Sequence, residues 1–221
     1  MNKTFLKTFW VSVFSIAMAY LEAAVVVYLR RVYGITDLNL QVPPFDAQIA
    51  IIEVGRELAT LVMLFSVGWI AGKTFQSRVG FTFIAFGLWD IFYYIWLRVF
   101  ISWPQSILEP DLLFLFPLPW WGPVLSPILI ALLMVIGGIF AVIKIENNKA
   151  LHIDAWFWLC LITGVLTLLY TFMTDALRAL PADASTLSGL KPSQFNWPLY
   201  FLGFGLGVIA LWRMVVGSSE N

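Results

Sequence analysis

The chain is 221 residues long, 61% hydrophobic and only 12% charged, and its thirteen basic residues balance thirteen acidic ones. That composition excludes a soluble domain of ordinary make-up, and the missing charge excess removes any electrostatic case for nucleic acid. A single cysteine, Cys160, excludes an intrachain disulfide.

Hydropathy predicts an all-α integral membrane protein: one polytopic transmembrane domain over residues 1–221 with about six spans. The first runs roughly over residues 8–30. Its start, with Lys3, Lys7, Ala17 and Ala19, imitates a secretory signal, but the apolar run continues to Leu29, too long for a signal core. Arg30 and Arg31 close it. The second span, roughly 48–72, ends at Gly72-Lys73, and the third, roughly 79–101, ends before Trp103-Pro104, because proline disfavours helical geometry in the residue ahead of it.

Residues 102–122 are too apolar for a solvated loop and too broken by proline for a span. They predict an interfacial or re-entrant segment, with Trp103, Trp120 and Trp121 at head-group level, placed to roof whatever lies beneath. The fourth span, roughly 122–144, closes at Lys144, and the fifth, roughly 155–177, follows the polar stretch Glu146–Asp154. The sixth, roughly 196–216, opens at Asn196-Trp197-Pro198, proline being tolerated in a first turn. No internal repeat is visible, which gives no support to an inverted-repeat transporter.

Lys3, Lys7, Lys73, Arg78, Lys144, Lys149 and Arg213 fall on the side of the termini, against Arg30, Arg31, Arg98, Arg178 and Lys191 on the other. That bias favours a cytoplasmic membrane with both termini in the cytoplasm. The acids are more lopsided, with only Glu146, Asp154 and Glu220 on the terminal side. Acidic residues contribute little to topology, so their asymmetry points to function.

Seven charged residues lie inside the spans or at their mouths: Glu22, Glu53, Arg56, Glu57, Asp90, Arg98 and Asp175. Each charge at membrane depth costs about 2.5–3.5 kcal/mol on insertion scales. Alternating helix direction brings all seven into the half of the bilayer away from the termini, together with Asn196. Spacing adds faces: Glu53 and Glu57 are i,i+4 with Thr60 continuing the side, and Asp90, Tyr94 and Arg98 repeat every four residues. Cys160, Thr163, Thr167, Thr171 and Asp175 form a polar stripe on the fifth span. Intramembrane acid–arginine pairs can simply neutralise one another and fix register. Yet five acids exceed two arginines here, which leaves carboxylates free to donate or carry protons or to bind cations. Glu22, Glu57 and Asp90, the deepest, are the catalytic candidates. Glu53, Arg56, Tyr94, Arg98, Asp175 and Asn196 are the candidate substrate contacts.

One histidine, His152 in a loop, cannot supply the pair that a b-type haem held between helices generally needs. Poverty in histidine and cysteine argues equally against copper and zinc, and no lysine lies in mid-membrane for retinal. No cofactor or metal is expected. Three functions stay open: a carboxylate-centred site that binds or acts on an amphipathic or isoprenoid-like substrate, a proton- or cation-coupled transporter or channel, and a non-catalytic subunit or scaffold of a larger membrane complex. Membrane lipid, and partner membrane subunits in the last case, are the expected partners.

Overall fold

The computed structural model describes residues 3–32, 34, 47–114, 118, 120–181 and 193–216. In chain order they form α1 (Lys3–Val32), α2 (Ala47–Ala71), α3 (Phe75–Ile101), strands β1 (Pro110–Phe114) and β2 (Trp120–Pro123), then α4 (Leu125–Glu146), α5 (Ala155–Ala179) and α6 (Trp197–Val216). Five of the helices (α1, α3, α4, α5 and α6) are long and apolar enough to cross a membrane, the build of a polytopic membrane protein. The 25-residue α2 carries Glu53, Arg56 and Glu57 in its N-terminal half.

Helix α3 is the hub. It packs on α1, α2 and α4, while α1 and α2 touch one another far less, and α5 and α6 pair beside α4. Glycine sets the separation between α3 and α4. A Cβ on Gly138 would lie 2.5 Å from the Gly80 carbonyl oxygen, and one on Gly87 would lie 2.4 Å from that of Ala131. The same device joins α5 to α6, where Gly164 and Gly203 face one another's carbonyls. The core between α1, α2 and α3 is built from Val11, Met18, Ala19, Leu64, Phe81, Ile84, Ala85 and Trp89. The opposite faces are large and apolar, with Ile51, Ile70 and Trp212 well over half exposed, as lipid-facing side chains would be.

The helix ends follow local chemistry. A reciprocal capping box opens α3, with Thr74 accepting from the Ser77 amide and the Ser77 hydroxyl accepting from the Thr74 amide. It makes the α2–α3 connection short and rigid. Asp154 caps α5, accepting from the Phe157 amide at 2.7 Å. The Asp154 carboxylate also receives Arg213 of α6, and that hydrogen bond holds its acid well below the ordinary carboxylate range, at about 2.

The proline- and tryptophan-rich segment between α3 and α4 contains a two-stranded antiparallel hairpin, which hydropathy alone did not disclose. Its register pairs Pro110 with Pro123, Asp111 with Gly122 and Leu112 with Trp121, with an irregularity before Phe114 meets Trp120. The prolines stand at the outer ends, where a missing N–H removes least from the ladder. Gly122 leaves room for α5, since a Cβ there would meet the Phe172 ring and the Ser126 hydroxyl at 2.8 Å. Residues 115–117 and 119 of this segment lie outside the described residues.

Candidate functional site

The densest polar cluster lies where α1 meets α2. Glu22, on the buried face of α1 and 8% exposed, receives Arg56 of α2 through Oε1 and the Thr60 hydroxyl through Oε2 at 3.2 Å. Arg56 also donates to Glu53 from Nε at 2.9 Å and from Nη2, and its Nη2 stands 3.9 Å from Glu57 Oε1. Spacing on α2 explains the convergence: residues 53, 56, 57 and 60 share one side of the helix. Three carboxylates therefore share one guanidinium. Glu57 is the least engaged of them, at ion-pair distance only.

Asp90 lies on α3, half-buried, and its carboxylate makes no hydrogen bond or ion pair among the described residues. One turn further along, the Tyr94 hydroxyl donates to Asp111 Oδ2 of the hairpin at 3.0 Å. Asp111 is 3% exposed, and Arg30 Nη2 of α1 lies 3.9 Å from its Oδ1. Arg30 in turn lies over the Trp103 ring, 5.2 Å from its centre. Tyr93 packs its ring edge against Tyr94, with centres 5.1 Å apart, within electrostatic reach of Asp111, Arg30, Glu22 and Arg56. A chain of polar groups thus runs from α2 through α1 and α3 to β1.

No protein-family model, curated protein or solved structure matches the chain.

Of the residues singled out by sequence, the structure gathers Glu22, Glu53, Arg56 and Glu57 in direct contact and places Asp90 and Tyr94 alongside the second cluster. Of the remaining three, Arg98 and Asn196 serve local backbone and Asp175 holds Ser193. Arg98 donates to the carbonyls of Ser102 and Pro104, which holds the left-handed turn at Ser102 (φ 58°) that ends α3. Asp175 accepts from the amide and hydroxyl of Ser193. Asn196 accepts from the Leu199 amide at 3.1 Å and so caps α6. On the fifth span the hydroxyls of Thr167, Thr171 and Thr174 return to their own helix, to the carbonyls of Thr163, Thr167 and Tyr170.

Sequence reasoning missed Asp111, Arg30 and Tyr93. In sequence Arg30 reads as a span-closing residue, and nothing local marks Asp111, whose partners lie 17 and 81 positions away in α3 and α1. An open apolar groove of about 590 Å³, lined by Val13, Ile16, Ala17, Tyr20, Leu21 and Trp96, lies on the other side of α1. Val13, Ala17 and Tyr20 project away from the direction of Glu22, so the groove belongs to the lipid-facing surface and not to this site.

Burial pushes the Asp111 acid up to about 6, against the opposing pull of Arg30 and the Tyr94 hydrogen bond. Folding therefore favours the protonated form. The contribution of this group to stability is fully present below its ordinary value near 4 and is lost as pH rises through about 6. The unfolding midpoint of the wild type in detergent should fall more steeply than that of Asp111→Asn as pH rises from about 4 to about 6. Parallel curves would show that Asp111 is already solvated.

Proposed function

We propose that the chain is a six-span membrane protein that takes an amphipathic, isoprenoid-like substrate from one leaflet into the space bounded by α1, α2 and α3, and that its carboxylates move a proton there. The observation carrying this reading is Asp90: a half-buried carboxylate on the hub helix with no hydrogen-bond or ion-pair partner among the described residues, one turn from Tyr94 and its Asp111 contact, while on α2 and α1 three carboxylates share one arginine. A structural lock would be expected to close on itself. Here Glu22 and Arg56 hold each other and fix the geometry, while Asp90 and Glu57 retain lone pairs for general acid or base work. The hairpin, tied to α3 by Asp111 and Tyr94, covers the same end and would limit access of water. The charge bias of the loops supports a cytoplasmic membrane with both termini inside.

The test begins with what the protein carries. Wild type, Asp90→Asn and Glu57→Gln, purified in mild detergent, are compared by mass spectrometry for retained amphiphiles and by thermal unfolding. Wild type should retain an amphiphile that both variants lose by tenfold or more, with unfolding midpoints unchanged. The same retained molecules in all three proteins would reject the reading. Proton uptake into proteoliposomes that disappears with Asp90→Asn, without such a ligand, would identify a transporter instead.

A further inference from the structure

Arg56 and Arg98 are the two arginines among the substrate contacts expected from sequence, and so the first candidates to hold an anionic head group. The structure commits both elsewhere: Arg56 to Glu22 and Glu53, Arg98 to two backbone carbonyls at the end of its own helix. Arg30 is different. Its ion pair with Asp111 is long, at 3.9 Å, and makes no hydrogen bond, and its Nη1 is buried with no acceptor among the described residues. The Trp103 ring satisfies the face of the guanidinium, not its in-plane N–H groups. Buried polar groups in folded proteins are nearly always paired, so a guanidinium nitrogen held out of water without an acceptor calls for an anion. The planar fork of arginine donors suits the oxygens of a phosphate or carboxylate, which it binds in bidentate fashion.

Position favours the same ligand. Arg30 lies in the last turn of α1, next to exposed Arg31, while Glu22 is eight residues deeper, about 12 Å along the helix. Trp103, buried at the end of α3, is the kind of side chain that marks the head-group level of a bilayer. An oxyanion on Arg30 would leave the tail of an amphiphile running inward past Tyr93 towards the carboxylates.

We infer that Arg30, backed by Trp103 and Asp111 at the α1–hairpin junction, is an oxyanion-binding site that holds the phosphate or carboxylate head group of the substrate. The inference rests on the proposed amphiphile reading and specifies its substrate class. Asp111 then acts as the resident counter-ion that the incoming anion displaces, with Tyr94 keeping it in place after displacement.

Two probes with one tail separate this site from the carboxylates: farnesyl phosphate and farnesol, titrated into the detergent-solubilised full chain, with inorganic phosphate as a third arm. Wild type should bind farnesyl phosphate at least tenfold more tightly than farnesol. Arg30→Gln should erase that difference and leave farnesol affinity unchanged. Asp111→Asn, which removes the competing carboxylate, should tighten farnesyl phosphate several-fold, the opposite of what loss of a merely structural ion pair would do. If Arg30→Gln does not fold, Arg30→Lys keeps the charge without the fork and should lose most of the tenfold preference. Arg30-dependent binding of inorganic phosphate alone would identify a free anion as the ligand of the same site, and its absence would assign the site to a lipid head group. A phosphate preference that survives Arg30→Lys, or weaker binding in Asp111→Asn, would overturn the inference. Failure of the carboxylate reading looks different: farnesol affinity would then be indifferent to Asp90→Asn and Glu57→Gln, while the Arg30-dependent increment remains measurable.

Discussion

Replacing Arg56 with glutamine should destabilise the folded protein by about 3–5 kcal/mol, the cost of leaving one member of a buried ion pair without its partner. Glu22 is the reason. It is nearly inaccessible, and among the described residues Arg56 supplies its only cationic contact, with the Thr60 hydroxyl alone remaining once that is lost. The double variant Glu22→Gln/Arg56→Gln should recover most of the loss, because two amides can hydrogen-bond across the same gap without a buried charge. Glu53→Gln should cost far less. Its bond to Arg56 is i,i+3 on a single helix, where such pairs are worth about 0.2–0.5 kcal/mol. Chemical unfolding of wild type, Glu22→Gln, Arg56→Gln and the double variant in one detergent gives the coupling energy as a double-mutant cycle. Additive losses in the double variant would show that Glu22 and Arg56 do not depend on one another.

Gly138→Ala should cost about 1–3 kcal/mol through overpacking, and Gly87→Ala a similar amount. Both added methyl groups would land on backbone: 2.5 Å from the Gly80 oxygen in one case and 2.4 Å from the Ala131 oxygen in the other. A side chain can rotate out of the way, but a carbonyl inside a helix moves only with its helix. The α3–α4 seam would have to open, and α3 also carries Asp90, Tyr93 and Tyr94. Gly205→Ala is the internal control, since a Cβ there meets nothing within 4 Å. It should be neutral or slightly stabilising, because alanine replaces a helical glycine without a clash. Equal unfolding midpoints for Gly138→Ala and Gly205→Ala would refute the close approach of the two helices.

Long apolar runs made the helices legible in sequence, since a span needs little more than length and hydropathy to declare itself. Helix spacing also exposed the α2 face of Glu53, Arg56, Glu57 and Thr60. Alternating direction then brought Glu22 to the same depth, and at that level depth was enough to find a partner. For Arg98, Asp175 and Asn196 it was not. Arg98 and Asn196 sit beside helix ends whose unpaired backbone groups claim their side chains, and Asp175 is taken up by Ser193, 18 residues further along the chain. The hairpin was hidden for another reason. Its strands are short, each has a proline at one end, and apart from Asp111 both faces are apolar, so no period-two alternation betrays them. Asp111 gains its meaning only from Tyr94 and Arg30, which reach it through tertiary packing.

The order of the helices along the chain has a consequence for synthesis. Glu22 and Arg56 are 34 residues apart, and both are translated before any of α3. Each alone would resist leaving the aqueous phase by about 2.5–3.5 kcal/mol. If α2 spans the bilayer as proposed, pairing would let α1 and α2 enter it as one hairpin with that burden largely cancelled, before the hub helix exists to pack against them. On that proposal the salt bridge would serve the nascent chain at entry before it serves the folded protein.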